Sequence, residues 1–79
     1  MSDKLKHALE ELRTELRRIG PDHPELQSLH EKTVRAIESG EHLPLVHSLR
    51  EAGKTFEVRY PQLTALINNV LTSLSNLGI

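Results

Sequence analysis

Leu5, Leu9, Leu12, Leu16 and Ile19 follow one another at spacings of 4, 3, 4 and 3. Leu45, Leu49, Ala52 and Phe56 repeat the rhythm at 4, 3 and 4, and Leu63, Ile67, Val70, Leu74 and Leu77 at 4, 3, 4 and 3. At 3.6 residues per turn this spacing gathers each set on one stripe of a helix. No segment shows the strict alternation of a half-buried strand. Each helix thus has one face that must be covered.

Breakers divide the chain into four such segments. The first is predicted over residues 3–19, with Ala8 widening its stripe, and Gly20-Pro21 stop it. Glu10 with Arg13, and Glu15 with Arg18, are placed to pair on its wet flanks. A second helix is predicted over 23–39. Asp22 would serve as its N-cap, with Glu25 three residues on completing a capping box. Its face is Leu26, Leu29, Thr33 and Ile37, edged by His30 and Val34, with Glu31 and Arg35 as a surface pair, and Ser39-Gly40 end it. A third helix is predicted over 44–58, with Gly53 inside it. Glycine there costs about 1 kcal/mol against alanine, so it marks either a close crossing or local weakness. Pro61 pushes Tyr60 out of the helical region, giving a turn or a kink before a fourth helix over 61–77. A short echo accompanies this layout: Ile19 to Leu26 reads I-x-x-D-H-P-E-L, and Phe56 to Leu63 reads F-x-x-R-Y-P-Q-L, 37 residues later. The expected fold is all-α: one domain of four short helices in two antiparallel hairpins. It forms a small bundle closed within the chain or by a second copy. Leu9, Leu12, Leu16, Leu29, Leu49, Phe56, Ile67, Val70 and Leu74 are its expected centre.

Length makes self-association a live question. A chain of 79 residues buries only about 60–65% of the surface its unfolded form exposes. Small chains recover stability through disulfides, metals or oligomerisation. There is no cysteine, which removes disulfides and thiolate metal sites and fits a reducing compartment. Ser2-Asp3-Lys4 is not the apolar core of a signal peptide, so a cytoplasmic location is the expectation.

The last nineteen residues, Pro61 to Ile79, contain no charged side chain and no histidine, while the first sixty hold all ten Lys/Arg and all eleven Asp/Glu. The segment is too polar for a membrane span. It also lacks the basic and aromatic residues of a membrane-surface helix. Two explanations remain: the helix packs centrally in its own bundle, or its polar side is covered by another chain. Interface cores are depleted in charge.

The chemistry-bearing residues are sparse. His7 with Glu11, and His47 with Glu51, stand at i, i+4, but no motif joins them into the three-ligand set of a catalytic zinc site. His30, near the apolar edge, reads as a hydrogen-bonded boundary histidine rather than a pH switch. Neither a Gly-rich phosphate loop nor a nucleophile elbow is present. No metal or cofactor is expected, and an enzyme is disfavoured. Arg13, Arg17 and Arg18 form the densest basic cluster, balanced by Glu10, Glu11 and Glu15. Net charge near zero and two aromatics argue against nucleic acid.

The C-terminal half carries a resemblance. Ser48-Leu49-Arg50-Glu51, Phe56-Glu57, Tyr60-Pro61-Gln62-Leu63-Thr64-Ala65-Leu66 and Leu74-Ser75-Asn76-Leu77-Gly78-Ile79 resemble the small bacterial domain-of-unknown-function family 4404. Its members are short helical chains with a segment like F-E-x-x-H-P-x-L-x-x-L and an ending like L-S-x-x-G-I. This chain has Tyr60 where the pattern has His, and Val58-Arg59 in place of a small residue and Ser. The resemblance implies a bacterial helical protein and no catalytic residue. The expected function is a non-enzymatic interaction module that self-associates as a dimer, with an unidentified protein partner as a further option. Its candidate interface is Leu63, Leu66, Ile67, Val70, Leu71, Leu74 and Leu77. The alternative is a small nucleic-acid-binding regulator using Arg13, Arg17 and Arg18.

Overall fold

The computed structural model describes residues 3–20 and 23–78. Four helices follow in order: α1 (Asp3–Ile19), α2 (Pro24–Ser39), α3 (Leu43–Thr55) and α4 (Pro61–Asn76). Each packs on its neighbours in sequence, and α4 closes against α1, while the diagonal pairs α1/α3 and α2/α4 do not meet. The result is an antiparallel square of four helices, closed within one chain. All nine residues expected at its centre are at most 4% exposed. Leu5, Leu26, Ala36, Leu45, Ala52 and Leu63 complete the core.

Two glycines stop the first two helices. Gly20 and Gly40 adopt left-handed φ of 84° and 75°, and their amides bond the carbonyls of Leu16 and Ala36, both at 3.1 Å. A side chain at either position would be strained there, which is why glycine ends these helices.

Several boundaries differ from the sequence expectation. His23, in extended geometry, is the N-cap of α2, with Pro24 the first helical residue and no side-chain cap bond. Glu25 therefore falls one place short of the capping-box position; Asp22 itself lies outside the described residues. The third helix ends at Thr55 rather than 58. Phe56 leaves helical geometry to plug the core, and the Tyr60 amide returns to its carbonyl at 2.9 Å. With ψ at 71°, Tyr60 turns the chain into α4, so Tyr60-Pro61 is a turn and not a kink. In α2, Ala36 is fully buried and Ile37 only partly. The smaller side chain takes the inward position and the larger one lies along the edge.

The two echoed segments meet at one end of the bundle. His23 and Tyr60 hold equivalent places before Pro24 and Pro61, and both rings contact Phe56. The His23 ring meets it edge-on at 5.3 Å and the Tyr60 ring is tilted at 5.9 Å. Arg59 stacks over Tyr60 at 5.6 Å. Edge and tilted contacts of this kind add about 0.5–1.5 kcal/mol beyond the area buried.

Candidate functional site

α4 supplies two different surfaces. Leu63, Ile67, Val70 and Leu74, four of the seven candidate interface residues, are at most 1% exposed and belong to the chain's own core. Leu66 and Leu71 are half-buried against it, and Leu77 is 47% exposed. On the opposite side Ala65, Asn69, Thr72 and Asn76 are exposed, again at spacings of 4, 3 and 4. α4 is one corner of the square, not a central helix. Packing therefore accounts for its apolar stripe and leaves the missing charge on its exposed side without a core-based cause. The outward sides of α1, α2 and α3 all carry ionised residues, such as Arg17, Glu31 and Glu51.

The basic cluster is divided by the helix it stands on. Arg17 borders the groove between α1 and α2, whereas Glu15, the partner of Arg18, borders the groove between α1 and α4. Adjacent helical residues point about 100° apart. Arg18 is held by Glu15: its Nε donates to a Glu15 carboxylate oxygen at 2.9 Å, and its terminal nitrogen to the other. Glu15 is 7% exposed, whereas the Arg18 side chain that covers it is 64% exposed, so the pair bridges from the flank into solvent. The hydrogen bonds from Arg18 hold the Glu15 carboxyl below its ordinary value of 4.5; burial opposes them, and the guanidinium charge adds to the lowering. Arg13 is half-buried. Among the described residues neither Glu10–Arg13 nor Glu31–Arg35 closes to ion-pair distance, in keeping with the few tenths of a kcal/mol such pairs offer.

His7 Nε2 and Glu11 sit 2.7 Å apart on α1. His47 and Glu51 stand on α3, the diagonal corner, with the core between. Among the described residues no three His, Asp or Glu are grouped to hold a metal. His30 differs from the expected hydrogen-bonded boundary residue, because its Nε2 is buried with no hydrogen-bond partner among the described residues.

Most depressions on the surface are grooves between helices, and one lies at the α2–α3 connection beside Gly40 and Leu43. One of about 340 Å³ lies between α1 and α2, bordered by Leu16, Arg17, Leu26 and His30. Two more lie between α3 and α4, at about 350 and 330 Å³. They share Arg50 and Leu71 and so form one continuous trough. Sequence reading missed this trough; its signals were Gly53, which leaves a gap, and the like charges Arg50 and Lys54 at i, i+4.

The fold is that of a single-chain, antiparallel four-helix bundle. The chain belongs to the family described as Domain of unknown function (DUF4404), whose model matches residues 5–79. The match runs well beyond the C-terminal segment that carried the resemblance and takes in α1. No curated protein and no solved structure matches the chain. Among the described residues no helix is long and apolar enough to cross a membrane.

Proposed function

We propose that this protein is a non-enzymatic interaction module that self-associates as a dimer through the exposed, uncharged side of α4. The observation that carries the reading is the absence of charge on a surface the core does not cover. Amide and hydroxyl groups cross an interface at a much lower desolvation cost than Lys or Glu, and the centres of interfaces are depleted in charge. Ala65, Asn69, Thr72 and Asn76 form the centre of the contact, with Leu66, Leu71 and Leu77 at its margins. A bacterial source and a cytoplasmic setting belong to the same reading. They draw support from the family resemblance and the lack of cysteine.

Size sets the strength. A helix of 16 residues is about 24 Å long, and one such side buries less than the ~800 Å² per partner of a standard interface. The dimer is therefore weak and concentration-dependent. Light scattering on a sizing column across a hundredfold concentration range tests it. The mass should rise from 8.9 kDa toward twice that, and Thr72→Lys, placed on the exposed side, should hold it at the monomer value. A chain that remains monomeric at every concentration overturns the reading.

A further inference from the structure

The trough between α3 and α4 adjoins the surface just described and shares Leu71, Thr72 and Asn76 with it. Its floor is apolar: Leu49, Leu71 and Leu74, with Val46 toward one end. Gly53 opens it further, since a Cβ placed there would meet only Ile67 Cγ2, at 3.7 Å. The α4 edge, from Thr64 through Asn68 and Thr72 to Ser75, is neutral. The α3 edge carries Arg50 and Lys54, both exposed and neither in an ion pair among the described residues. Glu57 stands at the far end. With two cations against one acid the trough is positive on balance, whereas the groove between α1 and α4 is bordered by Glu10, Glu11 and Glu15 and that between α1 and α2 by Arg17 with Glu31.

An apolar trough between two helices is the shape that receives a third helix, which lays its apolar stripe on the floor. The charges at the edge then select the sign of what flanks that stripe. We infer that the α3–α4 trough docks an acidic amphipathic helix of a partner protein. The partner's Leu-type side chains cover Leu71 and the gap at Gly53, and its Asp or Glu residues meet Arg50 and Lys54. Two cations that close no ion pair among the described residues, beside apolar surface, carry this choice of partner. A basic helix would add like charge to both, and a neutral one would leave both unpaired at the edge of a dehydrated contact.

Two fluorescein-labelled 14-residue peptides test the inference on the whole chain. Both carry Leu at positions 1, 4, 8 and 11; the remaining positions are mainly Glu in one and mainly Lys in the other. The Glu peptide should raise fluorescence anisotropy saturably, shift backbone amide resonances of α3 and α4, and bind at least about tenfold more weakly to the double variant Arg50→Glu, Lys54→Glu. Both substituted residues are exposed, so far-ultraviolet circular dichroism and the melting midpoint should stay close to those of the parent and separate lost binding from lost folding. Failure of the Glu peptide to bind, equal binding of the Lys peptide, or resonance shifts confined to α1 and α2 would each overturn the assignment. Because the trough and the proposed dimer contact share Leu71, Thr72 and Asn76, the titration is run at concentrations where the mass is 8.9 kDa, and peptide binding is then read separately from dimerisation.

Discussion

Replacing Gly53 with alanine should stabilise the fold, and the reason is steric as much as conformational. Gly53 lies in α3, two residues before its end at Thr55, and its φ is not in the left-handed region. The added methyl would sit 3.7 Å from Ile67 Cγ2, an ordinary van der Waals separation, so nothing has to move. The helix gains roughly 0.5–1 kcal/mol in propensity, most of it from a less disordered unfolded state; the position near the helix end favours the lower half of that range. Contact with Ile67 adds a few tenths at ~25 cal/mol per Å². For a domain this size, a gain of about 0.5–1 kcal/mol raises the melting midpoint by roughly 2–8 °C. Circular dichroism at 222 nm, with heat and then urea at one fixed protein concentration, measures both. The urea slope should not change, because the surface exposed on unfolding is nearly the same. A loss of more than about 0.5 kcal/mol would show that α3 and α4 need the bare backbone at residue 53, refuting the assignment of Gly53 as a weak point rather than a crossing point.

Thr33 is fully buried, and its hydroxyl donates to the Leu29 carbonyl at 2.8 Å. That carbonyl already accepts a helical amide, so Thr33→Val strands no acceptor; urea unfolding should show a change within about 0.5 kcal/mol or a small gain, and a loss above ~1 kcal/mol would mean the hydroxyl bond matters in its own right. Glu15 gives a pH signature. Its folded-state carboxyl is held below 4.5, so its stabilising contribution is complete above that value and is lost as pH falls through the lower folded value. The stability gap between the parent chain and Glu15→Gln should be widest near pH 7 and should close as acid unfolding titrations pass below about pH 4. Arg18 is 64% exposed, so the gap stays near or below ~1 kcal/mol; a gap that is flat with pH would remove the ion pair as its cause.

Much of the architecture was legible in the sequence because helical geometry is local. The spacing of Leu5, Leu9, Leu12 and Leu16 names a buried stripe wherever the helix is placed, and Gly20 and Gly40 announce its stops through their backbone freedom. The seam of α4 was equally plain. Less legible were the ends set by long-range contacts. α3 stops at Thr55 because Phe56 is drawn into the core beside His23, a residue 33 positions away in the chain. Glu15 reads as a wet-flank residue by its charge, yet it is covered because α4 closes over that side of α1.

The candidate surfaces divide the same way. By itself the sequence determined that the final quarter lacks charge and that four helices must bury four stripes. Only the tertiary structure decided which residues of that quarter remain available. Four of the seven apolar candidates are taken up by the core, and α4 occupies a corner that leaves Ala65, Asn69, Thr72 and Asn76 in solvent. It also decided that Arg17 borders the α1–α2 groove while Arg18 is held by Glu15, which borders the α1–α4 groove, and that Arg50 and Lys54 stand beside an apolar trough. A sequence fixes the angle of each side chain around its own helix. Which angles face a neighbour depends on where the other helices lie, and that is set by the packing of all four stripes at once.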